Sequence, residues 1–234
     1  MKDNQYTQMQ KNHYRPQAPM WNPNYRDPIV GSFDRHNDWK DYENLFVDIP
    51  NLRQRKCLDF GCGPGRNLIK YYSFFSSIDG VDMLPETLEA AKRWINHNNL
   101  PLQNFKLYLC SGYDLACIED SSYDVVMSTI CMQHICVYNI RLNYLKEFFR
   151  VLKPNGFVTI QMGYGANAPD AVDYYHDFWE AKTTNRGADT MITNPEQPQQ
   201  DLEKIGFVDF KYHIGPTGPG DSHPNWIYFN ARKP

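Results

Sequence analysis

The sequence predicts an α/β fold in which a mostly parallel, seven-stranded sheet carries helices on both faces of a single domain. Two observations lead to this prediction. Short apolar segments of strand length alternate with longer helical segments, which is typical of parallel sheets with helical crossovers. The first strand also ends in a glycine-dense turn that leads directly into a helix. We expect an N-terminal arm before the sheet and an insertion after the fifth strand.

Composition limits the class of protein before any motif is considered. The 234 residues suit one domain, and 41% hydrophobic residues are enough for a sizeable core. A net charge of −3 gives no basic excess, so bulk nucleic acid is not an expected partner. No apolar run has membrane-spanning or signal-peptide character, so we expect a cytoplasmic protein without a membrane partner. The six cysteines form no C-x-x-C pair, which favours reduced core thiols over a metal site.

The predicted elements follow the chain in order. The strands are Lys56–Phe60, Ser77–Asp82, Phe105–Cys110, Tyr123–Met127, Phe157–Met162, Phe207–His213 and Trp226–Asn230. The helices are Asp34–Phe46, Asn67–Phe75, Pro85–Asn98, Ile140–Leu152 and Gln199–Ile205. We divide the chain into an arm or lid with one helix over residues 1–46 and a domain over 47–234.

Two interpretations are open for the N-terminal arm. Its first 30 residues are rich in Asn, Gln, Tyr and Pro and show no usable periodicity, which favours partial disorder. Alternatively, the large side chains of Tyr14, Trp21 and Tyr25 could close over a cofactor as a lid.

The glycine-dense turn is the first candidate ligand site. Asp59 begins the pattern D-x-G-x-G-x-G, and glycines at 61, 63 and 65 let a ligand approach the main chain closely. The dinucleotide fingerprint G-x-G-x-x-G would place its third glycine at Arg66, so a nicotinamide oxidoreductase is disfavoured. Asp82 follows Gly61 by 82 − 61 = 21 residues and ends the second strand. A carboxylate there can accept hydrogen bonds from both ribose hydroxyls, although a surface acid is the alternative.

These segments, taken together, resemble the class I S-adenosylmethionine (SAM)-dependent methyltransferases. The similarity covers residues 57–163, then the last helix and two strands. It rests on the order of five motifs: LDFGCGPGRN, GVDMLPETLEAAK, SGYDL, SSYDVVMSTICMQHI and VLKPNG. The resemblance implies a Rossmann-like sheet, SAM as cofactor and S-adenosylhomocysteine (SAH) as product.

The resemblance also implies which residues bind the cofactor. Asp59 and the backbone around Gly61 and Gly63 would hold the methionine end, Asp82 the ribose, and Met83 the adenine. Many members carry an acid where this chain has Gly112, so Asp114 or a backbone carbonyl would receive the adenine amino group. The implied cofactor-binding residues are Asp59, Gly61, Cys62, Gly63, Asn67, Asp82, Met83, Gly112, Tyr113, Asp114, Ser128 and Thr129.

The sulfonium of SAM is already an activated electrophile, so the chain needs only to align an acceptor and remove its proton. His134, just after the fourth strand, is the candidate base, because imidazole titrates near neutral pH. The alternative is that His134 caps a helix or orders the cofactor loop. Gln133 could hydrogen-bond a polar group of the substrate.

Substrate choice is expected in the long insertion over residues 163–198. Its candidate substrate-binding residues are Tyr164, His176 and Arg186, and it also contains Asp189. The aromatic spacing from Asp173 to Trp179 fits a helix, which would make most of these rings core residues. His223 lies in a later Gly- and Pro-rich loop, and the sequence does not decide whether it faces the site.

We therefore expect SAM-dependent methyl transfer to an oxygen or nitrogen atom of a small-molecule or sugar-like acceptor. The alternative is a non-catalytic protein of the same fold that binds SAM or SAH as a partner or regulatory subunit.

Overall fold

A computed structural model describes residues 2–23, 44–166, 171–178, 189–217 and 223–234. The helices are α1 Lys2–Tyr14, α2 Arg66–Lys70, α3 Pro85–His97, α4 Tyr138–Val151 and α5 Glu196–Ile205. The strands are β1 Lys56–Phe60, β2 Ser77–Asp82, β3 Leu107–Leu109, β4 Tyr123–Thr129, β5 Leu152–Tyr164, β6 Ala171–Val172, β7 Asp189–Thr190, β8 Val208–Pro216 and β9 Asn225–Arg232.

Seven strands form one sheet in the order β3-β2-β1-β4-β5-β9-β8, which confirms the predicted fold. The first five strands pair in parallel, and β9 is antiparallel to both β5 and β8. Asp59 of β1 is level with Gly80 of β2 and Met127 of β4. The carboxyl ends of these three strands therefore meet at one edge. A separate two-stranded sheet joins β6 to β7 within the insertion.

Helices cover both faces of the sheet because the strands present apolar side chains on both faces. In β1, Leu58 and Phe60 join the core beneath α4, whereas Cys57 joins the core beneath α2 and α3. All three are buried, as expected for a central parallel strand. Helix α3 begins with Pro85, whose missing N–H is tolerated in the first turn.

Several element boundaries differ from the sequence-based predictions. Helix α2 ends at Lys70 rather than Phe75, and β3 contains only three residues. Strand β5 begins at Leu152, five residues before the predicted start, because Leu152 already pairs with Tyr123. The helix expected over Asp34–Phe46 lies largely outside the described residues, as does Tyr25.

The helix predicted for the aromatic segment after Asp173 is wrong for the part the structure describes. Residues 173–178 contain a turn at residues 174 and 175 and no helix. Their polar groups pair with the start of α4 instead: Tyr138 donates its backbone N–H to the His176 carbonyl at 2.8 Å, and Asn139 donates to the Asp177 carboxylate at 2.7 Å. Tertiary hydrogen bonds therefore replace those that a helix would have made.

The N-terminal arm is helical over Lys2–Met20 rather than irregular. Tyr6, Thr7 and Gln10 of α1 are buried against the carboxyl edge of the sheet. No helix in the part of the chain that the structure describes is both long and apolar enough to cross a membrane.

Candidate active site

A cavity of about 250 Å³ opens at the carboxyl edge of the sheet. Its floor is the glycine turn after β1, the end of β2 and the segment after β4. Residues of the N-terminal arm, including Gln10, Tyr14 and Trp21, form the opposite wall. This position, outside the carboxyl ends of parallel strands, is where open α/β sheets bind ligands.

The glycine turn brings bare backbone to the cavity. Gly61 and Gly63 have positive φ angles of 69° and 54°, a conformation that glycine adopts without strain. A Cβ at position 61 would lie 2.1 Å from Cys131 Sγ, so Gly61 is required for close packing. A Cβ at position 63 would meet no atom within 4 Å. The turn at Gly63 is therefore open for a ligand to approach.

Asp82 faces the cavity from the end of β2. Its carboxylate accepts backbone N–H groups from Gly63 at 3.1 Å and from Leu84 at 3.0 Å. Burial raises the pKa of Asp82 to about 6, although these backbone N–H groups favour the ionised form. The side chain is thus fixed in place, and its pKa lies close to neutral pH.

Asp59, Asn67 and Thr129 form a buried polar group behind the glycine turn. Asn67 Nδ2 donates to Thr129 Oγ1 at 2.8 Å. Among the described residues, no group donates a hydrogen bond to either carboxylate oxygen of Asp59 or to Asn67 Oδ1. Burial raises the pKa of Asp59 to about 7, while the neighbouring Asn67 amide and Arg66 guanidinium act in the opposite direction. Buried polar atoms without partners are costly, which indicates that a polar ligand completes them.

His134 lies on the cavity wall just after β4, with its side chain about one third exposed. Its Nδ1 is 2.7 Å from Asp189 Oδ1. An ionised carboxylate only accepts hydrogen bonds, so a neutral His134 in this contact carries its proton on Nδ1. Nε2 is then the ring nitrogen that can accept a proton.

Asp189 contacts a second imidazole. Its Oδ2 is 3.4 Å from Nε2 of His223, whose side chain is 1% exposed. Burial acts to raise the pKa of Asp189, but the two imidazoles outweigh it and hold this pKa well below its usual range. The carboxylate is therefore ionised at neutral pH.

Helix α1 is hydrogen-bonded to the segment that carries His134. Tyr6 donates its hydroxyl to the His134 carbonyl at 3.0 Å and accepts the Cys136 N–H at 2.8 Å. Gln10 Nε2 donates to the same carbonyl at 2.6 Å. The Tyr14 ring lies 6.3 Å from the His134 ring. Tyr6, Gln10 and Tyr14 are four residues apart, a helical spacing that could have revealed this face in the sequence.

Comparisons with known proteins agree with this fold. The family described as "Methyltransferase domain" matches residues 58–160. The chain is 25% identical over 147 residues to a ubiquinone biosynthesis O-methyltransferase of Pelagibacter ubique, which covers 60% of this chain and 58% of that protein. Residues 58–160 of the chain therefore match a methyltransferase domain.

Solved methyltransferase structures show the same fold. Phosphoethanolamine N-methyltransferase 2 of Haemonchus contortus, solved with phosphomonomethylethanolamine and SAH, superposes with a TM-score of 0.65 and 18% identity. That match covers 98% of this chain and 60% of the other. A SAM-dependent methyltransferase from Mesorhizobium loti gives a TM-score of 0.64 at 16% identity, over 86% of this chain and 100% of that one. The chain thus spans about three fifths of the length of its first curated and structural relatives.

The cofactor of this methyltransferase family is SAM, and the cavity residues fit it. SAM carries an amino acid group, a ribose diol and an adenine. The unpartnered buried atoms of Asp59 and Asn67, the anchored carboxylate of Asp82 and the open backbone at Gly63 offer acceptors and space for these groups. We assign them to the methionine end and the ribose as a proposal.

The structure brings most of the sequence-predicted cofactor residues to the cavity, but not all. Those that line it are Gly61, Cys62, Gly63, Asn67, Asp82, Met83, Gly112 and Thr129, together with His134. Asp59 and Ser128 are buried beside it, whereas Tyr113 is exposed. Asp114 accepts a hydrogen bond from Ser111 Oγ at 3.0 Å outside the cavity. These placements leave the adenine amino group without an assigned acidic partner.

The predicted substrate-binding residues that the structure describes do not line the cavity. Gln133 is buried, and its Oε1 accepts the Gly163 N–H at 2.9 Å while its Nε2 lies 3.3 Å from His223 Nε2. Its amide therefore supports neighbouring residues instead of facing the cavity. Tyr164 and His176 do not line the cavity, and Arg186 lies outside the described residues. Sequence reasoning did not assign Asp189 or His223 to the site.

Proposed function

We propose that this methyltransferase transfers the methyl group of SAM to an oxygen or nitrogen atom of a small-molecule or sugar-like acceptor, with His134 as the base. The observation that carries the proposal is the contact between His134 and ionised Asp189 on the wall of the cofactor cavity. An oriented imidazole beside a cofactor pocket suits proton removal from an acceptor hydroxyl or ammonium group.

When bound, SAM supplies a methyl group that is activated by its sulfonium. Asp82 would accept the ribose hydroxyls, and Asp59 with Asn67 would hold the methionine end. That methyl group would pass to the acceptor lone pair, with SAH as the leaving group. His134 Nε2 takes the proton that the acceptor loses, and Asp189 stabilises the resulting imidazolium. The N-terminal arm above the cavity limits entry of water and favours a small acceptor.

The relatives support both acceptor atoms without choosing between them. One is named as an O-methyltransferase of ubiquinone biosynthesis, and another was solved with a phosphorylated secondary amine. We therefore propose to test a catechol and phosphoethanolamine as the first oxygen and nitrogen acceptors.

The deciding experiment combines binding with turnover. Calorimetric titration with SAH, alongside NAD, tests the cofactor class. SAH release from SAM in the presence of each acceptor then tests catalysis. We expect His134→Asn to keep SAH affinity and to lose at least about 100-fold in turnover, the usual range for a general base.

His213→Asn is the matched control, because His213 lies on β8 away from the cavity. Unchanged turnover in His134→Asn would remove the base assignment. SAH binding with no turnover on a broad acceptor panel would favour the non-catalytic alternative, and no SAH binding would overturn the cofactor proposal.

A further inference from the structure

We propose that Asp189 is a positioning residue that fixes the tautomer and ring orientation of His134, and that buried His223 holds Asp189 in place from behind. This inference rests on the proposed base role of His134. It adds two residues that lie far from the cofactor motifs in sequence.

The backbone of Asp189 is held rigidly. Strand β7 pairs with β6, which places Asp189 opposite Ala171. The next residue, Thr190, is fully buried and accepts a hydrogen bond from Arg141 Nη1 at 2.8 Å. Arg141 itself is buried and also donates to the carbonyls of Ile135 and Tyr174. Because Ile135 follows His134, one guanidinium fixes both partners of the His134–Asp189 contact relative to each other.

His223 closes the other side of the Asp189 carboxylate. Its ring lies directly on Gly163 of β5, since a Cβ there would fall 2.2–2.4 Å from three ring atoms. His223 Nε2 faces an acceptor, Asp189 Oδ2, and a donor, Gln133 Nε2, at 3.4 and 3.3 Å. The Gly163 N–H fixes the Gln133 amide with its oxygen away from His223.

His223 Nε2 can serve only one of these neighbours at a time. A proton on Nε2 donates to the ionised, half-buried Asp189 carboxylate, and a charge-assisted hydrogen bond is the stronger of the two options. With Nε2 protonated, Asp189 is held between two N–H donors, Nδ1–H of His134 and Nε2–H of His223. His134 is then left with a basic Nε2, as the proposed reaction requires.

The test is nitrogen NMR of the full-length protein labelled with ¹⁵N-histidine, at a pH of about 9 where free imidazole is neutral. The signal that disappears in His134→Asn identifies His134. We expect wild-type His134 to be the single Nδ1–H tautomer. In Asp189→Ala we expect a mixture of tautomers, and in His223→Asn a partial loss of the Nδ1–H form.

Asp201→Asn is the matched control. Asp201 is a buried carboxylate that accepts hydrogen bonds from the Tyr138 and Tyr174 hydroxyls at 2.7 and 2.9 Å. It has the same kind of structural role but does not contact His134, so the tautomer should stay as in wild type. Asp189→Leu, which has a similar volume and no hydrogen-bond acceptor, substitutes for Asp189→Ala should the alanine variant fail to fold.

An Nε2–H tautomer in wild type, or an unchanged Nδ1–H tautomer in the folded Asp189 variant, would overturn the inference. Turnover separates its failure from that of the proposed function. Positioning predicts at least a tenfold fall in kcat for the Asp189 variant with unchanged SAH affinity. Turnover that depends on His134 but not on Asp189 would reject only the positioning role, whereas turnover independent of His134 would reject the base assignment.

Discussion

At the scale of single residues, the cofactor cavity depends on carboxylates held in a dry environment. Asp59 and Asp82 both have pKa values raised by burial, to about 7 and about 6. Asp189 has the opposite shift because two imidazoles contact it. These three carboxylates, at or near one cavity, therefore have pKa values shifted in opposite directions. Shifted pKa values at one place are characteristic of functional sites.

Replacing Asp82 with Ala should weaken SAH binding by about 10- to 150-fold, because hydrogen bonds to a charged group contribute about 1.5–3 kcal/mol. Calorimetry with SAH measures the change. The matched control is Asp79→Asn in the same strand, since Asp79 is buried but bonds to Tyr123 and Lys106 outside the cavity. Equal SAH affinity in Asp82→Ala and wild type would show that Asp82 does not hold the ribose.

The raised pKa of Asp82 gives a pH dependence with a defined sign. In the unliganded protein, the folded pKa is about 6 against an ordinary value of 3.8. The protonated carboxyl therefore contributes fully to the free energy of unfolding below pH 3.8. This contribution is lost as the pH rises through about 6. Ribose binding instead requires the ionised form. We expect SAH affinity to fall about tenfold per pH unit below pH 6 through this group, a limb absent from Asp82→Asn titrations.

At the scale of elements, α1 connects the N-terminal arm to the segment that carries His134. Tyr6 of this helix bridges the His134 carbonyl and the Cys136 N–H. Lys11 Nζ also donates to the Ser111 carbonyl at 3.1 Å. The arm thus contacts both loops that border the cavity.

Tyr6→Phe should loosen this arm. Losing the hydroxyl removes the Tyr6 hydrogen bonds in the buried contact, at a cost of about 1–3 kcal/mol. We expect faster SAH dissociation and faster amide exchange in α1, measured by stopped-flow and hydrogen-exchange mass spectrometry. Gln8→Ala is the control, because the exposed Gln8 bonds Asn12 within the same helix. Identical exchange in Tyr6→Phe and Gln8→Ala would argue that this hydroxyl does not anchor the arm.

The contact between β5 and His223 makes a second prediction at this scale. Gly163→Ala should lower the free energy of unfolding by about 1–3 kcal/mol, the usual cost of overpacking, because the new methyl group meets the His223 ring. Urea denaturation measures this change. Gly215→Ala in β8 should be nearly neutral, since its Cβ would meet only Tyr228 at an ordinary 3.7 Å. Equal stability of the two variants would contradict the tight packing of His223.

At the scale of the whole molecule, the cavity lies at one edge of a sheet that has helices on both faces. Ligand binding to the folded state alone should therefore stabilise the entire domain. SAH at 100 times its Kd should add about 2.7 kcal/mol, which corresponds to a rise in Tm of roughly 5–10 °C for a chain of this size. Differential scanning calorimetry measures the shift, and NAD at the same concentration should produce none. A rise in Tm with NAD and none with SAH would favour the nicotinamide oxidoreductase hypothesis.

The sequence by itself determined the features that lie within one strand–turn–helix unit. The fold class, the glycine turn and Asp82 could be predicted because local patterns specify them: apolar strand runs, positive-φ glycines and an acid at the end of the next strand. The tertiary structure decided the rest. It joined His134 to Asp189 across 55 residues, Gln133 to His223 across 90 and Tyr6 to His134 across 128. Local sequence periodicity does not predict such contacts. They form only when the sheet brings segments that are distant in sequence to one edge.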